Sequence, residues 1–185
     1  MKTMLRNVIL TAAGALLFLP TAQGAVSTAQ GKAGLSQLEK DVRHELVMLP
    51  YFGVFDNFEF QVSEDGRHVT LSGQVTRPTL RTDAERVVKR IEGVERVTNN
   101  IEVLPLSPMD NQTRLAVART IFGDSVLSRY SWGAVPPIHI IVKNGHVTLQ
   151  GVVASETDKN IATIRANGVF GVFSVTNDLR VDNRS

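Results

Sequence analysis

The 185-residue sequence contains no cysteine. That absence excludes disulfide scaffolds, Cys-ligated zinc, iron–sulfur clusters, thiol catalysis and a lipidated N-terminal Cys. An excess of one charge is missing as well, with 20 Lys and Arg against 18 Asp and Glu. Lys2 and Arg6 fall in a segment expected to be removed, and without them the two signs cancel. Binding to nucleic acid needs a clustered excess of Lys and Arg, so no nucleic-acid partner is expected. The apolar stretch 8–19 has Thr11 as its one polar side chain and is too short for a membrane span, which needs about 20 residues. Apolar residues make up 43% of the chain and charged ones 21%, the balance of an ordinary globular protein.

Signatures of catalysis are also missing. There is no Gly-x-Gly-x-x-Gly turn, no Walker loop and no Gly-x-Ser-x-Gly elbow. The four histidines, His44, His68, His139 and His146, show no metal-ligand spacing. Asp41 and Glu45 lie four apart on an expected helix, where they form a solvated face rather than an acid–base dyad. The expectation is a protein that is no enzyme and carries no metal and no cofactor.

The N-terminus has a charged start, a short apolar core and small residues at Ala22 and Gly24. This is the pattern of a secretory signal peptide over residues 1–24, followed by a flexible segment at 25–34. A mature protein in the periplasm, not a lipoprotein, is expected.

Most of the remainder is one unit written twice. Residues 68–103 match residues 146–181 at 14 of 36 positions without a gap. The first copy, 35–104, begins with a capping box, Ser36-x-x-Glu39, and an apolar stripe at Leu35, Leu38, Val42, Leu46 and Leu49. Phe58, Phe60 and Val62 alternate as a strand, and residues 68–75 form a second. Pro78 opens another helix with Leu80, Ala84, Val87, Val88 and Ile91 inward, and residues 97–103 close the unit. After a linker at 105–108 the second copy, 109–182, repeats the order. Its first helix starts at Ser107-x-x-Asp110 with Leu115, Ala118, Ile121 and Phe122 on one side. Asn144-Gly145 is a two-residue hairpin turn, and Ser155-x-x-Asp158 caps the last helix. The predicted fold class is α+β: two tandem αββαβ modules, each a three-stranded mixed sheet with two helices on one face. Gly73 and Gly151 interrupt strands and mark a bulge or close packing against a helix, whereas Gly93 and Gly171 end helices.

The string Val69-Thr-Leu-x-Gly73-x-Val75, followed by Gly93-Val94 and Val97-Thr-Asn99, recurs as Val147-Thr-Leu-x-Gly151-x-Val153, Gly171-Val172 and Val175-Thr-Asn177. It resembles the BON domain, in two copies. The resemblance implies a non-catalytic envelope module whose partners are an anionic phospholipid membrane surface or envelope proteins, in osmotic or envelope stress. It supplies no active-site residues. A soluble, chaperone-like periplasmic stress protein and a structural module of an envelope assembly stand as alternatives.

The copies differ in charge. Residues 35–104 hold 9 basic and 12 acidic side chains, residues 109–182 hold 7 and 6. Glu92 and Glu95 of the first copy align with Phe170 and Phe173 of the second. Unpaired charges are rarely buried, so these read as surface positions, where Phe170 and Phe173 either expose aromatic rings or pack under the segment 123–137 or against module one. Tyr130 and Trp132, in the irregular segment 123–137, are expected to join them as membrane or partner contacts.

Overall fold

The computed structural model describes residues 23–133 and 135–182, with side chains from residue 34 onward. The signal segment expected at 1–24 lies outside them apart from its last two residues. No helix among the described residues is long and apolar enough to cross a membrane.

Module one runs α1 (Gln23–Val47), β1 (Asn57–Val62), β2 (His68–Val75), α2 (Pro78–Val88), β3 (Arg96–Asn99) and β4 (Glu102–Val103). Module two runs α3 (Pro108–Phe122), β5 (Ile138–Lys143), β6 (His146–Val153), α4 (Glu156–Asn167) and β7 (Ser174–Val181). In each, a hairpin pairs the first two strands antiparallel, and the second helix returns the chain to a parallel third strand. The third strand of module one is split at Asn100 and Ile101, whereas β7 is continuous against β6. The αββαβ order therefore holds twice.

Three expectations about the helices change. α1 already begins at Gln23 and runs through residues 25–34, so Ser36 lies inside the helix and does not start it. The alanines of this stretch favour helix intrinsically, so no cap is needed at Ser36. Of the stripe expected on α3, Ile121 is buried and Ala118 and Phe122 pack against the core, but Leu115 is 47% exposed, and Asp110, Thr113, Arg114 and Val117 are buried beside Ile121. Gly93 and Gly171 do not end helices, because α2 stops at Val88 and α4 at Asn167. Each glycine sits in a later reverse turn, closed by Val94 N–H to Ile91 O and Val172 N–H to Val169 O, at the third position where φ is positive.

The interrupting glycines have a sharper cause than packing against a helix. Gly73 faces Phe58 and Gly151 faces Ile138 across the hairpins, with φ of +108° and +119°. A Cβ on Gly73 would lie 2.2 Å from the carbonyl oxygen of Asn57, and one on Gly151 1.9 Å from that of Pro137. Only a residue without a side chain lets the start of the neighbouring strand approach so closely. The repeated asparagine also has a role: the Asn99 amide donates to Arg81 O at 2.9 Å, and that of Asn177 to Lys159 O at 2.8 Å. Each ties the second helix to the third strand of its module.

The core of module one joins the stripe of α1 (Leu38, Val42, Leu46) to Val69, Leu71, Leu80 and Val88. Module two packs Val117, Ile121, Ile138, Ile140, Leu149, Ala162 and Leu179. Between the modules, Val54 and Phe55 of module one pack against this second core, and Val54 O accepts from Ile140 N at 2.8 Å. Phe52 stacks on Phe58 at 4.9 Å and lies 5.6 Å from the His139 ring. Lys143 pairs with Glu102 across the same junction.

Candidate functional site

Three segments meet at one end of module two. Ser107 caps α3 by accepting from Asp110 N at 3.1 Å. The Asp110 carboxylate, almost fully buried, then accepts from Asn144 N and Gly145 N, each at 2.9 Å. These amides belong to the hairpin turn, where Asn144 and Gly145 both have positive φ, as the twist of the flanking strands favours. Gly145 O in turn accepts from Phe173 N at 2.9 Å, which fixes the turn around Gly171 beside the hairpin. A start of helix, a hairpin tip and a reverse turn are thus joined through backbone groups and one carboxylate.

This frame carries the aromatics outward. Phe170, at the corner of the turn, is 98% exposed and Phe173 is 77% exposed. Neither is covered by the segment 123–137 or by module one. The Phe173 ring leans over Gly145 and meets His146 edge-on at 6.0 Å. In module one the equivalent surface is polar: Glu92 and Glu95 are exposed, and Glu95 pairs with Arg67, the residue equivalent to Gly145. Sequence comparison missed Met109, which stands 65% exposed on the first turn of α3 beside Asp110. An apolar residue next to a capping box was the available signal, but helical periodicity assigns such a residue to the core.

Tyr130 is not part of this surface. It is 9% exposed, its hydroxyl donates to Asp158 Oδ2 at 2.6 Å, and it accepts from Ala154 N at 2.8 Å. Residues 127–131 form a 3-10 turn that folds Leu127 and Tyr130 into the core, a closure across 28 residues that local sequence does not report. Arg129 joins Asp158 from outside. Burial of Asp158 opposes its ionisation, but the hydroxyl of Tyr130 and the guanidinium of Arg129 outweigh it and hold the carboxyl below its usual range. Trp132 is 81% exposed, yet it follows Tyr130 at the N-terminal end of α4. Phe170 follows the C-terminal end, about 18 Å of helix away. The structure brings Phe170 and Phe173 together and leaves Trp132 apart. The four glycines Gly73, Gly93, Gly151 and Gly171 shape strands and turns.

Comparison with known proteins agrees with this architecture. The family model described as BON domain matches residues 35–105 and 124–183. The chain belongs to the BON domain family. The BON match takes in both modules but leaves the whole of α3 between its two segments. Among curated proteins, Osmotically-inducible protein Y of Escherichia coli (strain K12) is 30% identical over 131 residues, which is 66% of this chain and 61% of that protein. The chain thus spans less than two thirds of this BON relative's length. Two solved structures of CdsD, described as a structural protein of the type III secretion system of Chlamydia trachomatis, align at 14% and 12% identity. The alignments cover 77% and 80% of this chain and 96% and 94% of theirs, with a TM-score of 0.31 in each case.

Proposed function

We propose that this is a non-enzymatic binding protein of the periplasm, in which module two contacts an anionic phospholipid membrane surface through Phe170 and Phe173. The observation that carries the reading is the exposure of both rings on a hydrogen-bonded turn where module one has Glu92 and Glu95. Burying a Phe side chain contributes roughly 1.5–3 kcal/mol, so two rings can hold a weakly charged module at an interface. Membership of the BON family and likeness to an osmotically inducible relative support placing this contact in the envelope under osmotic stress.

Co-sedimentation of residues 25–185 with vesicles tests the reading. Binding is expected with anionic phospholipid, weakened by salt because exposed charges are screened. Suppression of client aggregation with no vesicle binding replaces this function with the chaperone-like one.

A further inference from the structure

A cleft of about 700 Å³ lies between the modules, a volume in the range of small-molecule sites. One wall is the stacked pair Phe52 and Phe58. Phe52 is aimed there by Tyr51, a non-glycine residue with φ of +69°. Backbone conformations of this kind are disfavoured outside glycine and cluster where ligands are clamped. The opposite wall is the face of the β5–β6–β7 sheet turned away from its helices.

On that face two buried polar atoms, His139 Nδ1 and Gln150 Oε1, have no hydrogen-bond partner among the described residues. They belong to residues paired directly across β5 and β6, so their side chains stand together. The Gln150 amide is oriented by Glu59, whose Oε1 accepts from Nε2 at 3.3 Å and is itself held by Asn57 Nδ2 at 3.2 Å. Its Oε1 is therefore left as an acceptor. The His139 ring faces the carbonyls of Asp56 and Gly53, and burial pushes its pKa down, so it is neutral near pH 7. Nδ1 has no partner among the described residues, so the N–H of the neutral ring is assigned to Nε2, on the side of these carbonyls, and Nδ1 is left as an acceptor. Two adjacent acceptors repel an anion and ask for paired N–H donors. The charged groups around them agree: Glu39, Glu59 and Asp178 outnumber Arg43 and Arg180. Arg43 is in addition placed over the Phe60 ring at 5.6 Å.

We propose that the inter-module cleft binds a small organic cation with a flat N–H-bearing head, of the guanidinium or amidinium type. The head bridges His139 Nδ1 and Gln150 Oε1, with the Glu59 carboxylate beside it and the ligand body along Phe52. A guanidinium presents parallel donors in a fixed fork, which matches a pair of acceptors better than a single ammonium does. The site is separate from the aromatic turn of module two and stands or falls independently of membrane binding.

The test uses residues 25–185 and agmatine, followed by NMR of the Gln150 side-chain amide and the His139 ring. Saturable shifts are expected at millimolar agmatine, with none from tetramethylammonium, which lacks N–H donors, and none from acetate. Gln150→Met and His139→Phe keep the packing and should each weaken agmatine about tenfold. Retained resonance dispersion in either variant shows that the fold persists. Absence of saturable shifts, equal response to tetramethylammonium, or unchanged affinity in the folded variants overturns the proposal.

Discussion

Phe173 donates its backbone N–H to Gly145 O at 2.9 Å, and its ring occupies the space above that glycine, where a Cβ would approach to 2.6 Å. At the same two positions of module one, Glu95 and Arg67 form an ion pair at 2.7 Å. One structural contact thus takes two chemical forms, an exposed ion pair worth little in water and an exposed ring free to enter an apolar phase.

Converting module two to the chemistry of module one should separate binding from folding. Phe170→Glu with Phe173→Glu removes two exposed rings and no core contact, so Tm is expected to move by about 2 °C or less. Vesicle binding should fall at least about tenfold, since roughly 1.5–3 kcal/mol per ring is lost. Unchanged co-sedimentation by this double variant refutes a contact role for the turn.

Gly151→Val makes the opposite prediction. It forces a β-branched residue to φ of +119° and drives Cβ against Pro137 O. A loss of about 3 kcal/mol or more is expected, seen as a Tm lower by roughly 10 °C. A melting curve that superimposes on the parent's would show that the strands can part without penalty.

Tyr130→Phe distinguishes a core residue from a surface contact. The change leaves Ala154 N–H without its acceptor and takes one donor from Asp158. Stability should drop by about 1–3 kcal/mol in urea titration while vesicle affinity stays the same. A loss of affinity at constant stability would return Tyr130 to the binding surface.

His139 gives the seam a pH dependence. Burial lowers its pKa in the folded protein, so above the unfolded value near ~6.5 both states are neutral and stability does not respond to this group. As pH falls below ~6.5 the unfolded chain takes the proton first, and stability declines until the folded pKa is reached. The urea midpoint is therefore expected to fall between pH 7 and pH 5 in the parent. His139→Phe should flatten that slope, and equal slopes in the two proteins would count against it.

The parts of the fold visible in the sequence are those fixed by local chemistry. Ser107 and Ser155 cap helices, Asn144-Gly145 turns a hairpin, and Gly73 and Gly151 relieve a clash, because each depends on neighbours in its own module. The exposure of Phe170 and Phe173 was legible through the first copy, where charge marks the same positions. Tyr130 was not, since its burial requires an aspartate 28 residues onward on another helix. Leu115 misled because α3 buries Asp110 and Arg114, which bond to the Asn144-Gly145 turn and to Val142 O. Apolar periodicity does not count polar residues as core. The cleft was invisible because nothing in either repeat encodes how the two copies dock.

Val54 O on Ile140 N makes the repeats unequal partners. β5 is an edge strand, and a bare edge is a template for any passing extended chain. Module one blunts that edge with a backbone bond and fills the adjoining hollow with Val54 and Phe55. Cut away from its twin, the second half would carry a sticky margin into solution and turn toward self-association. Two sequences that began as duplicates have become a blade and its sheath, and a chain holding two second halves would lack the sheath.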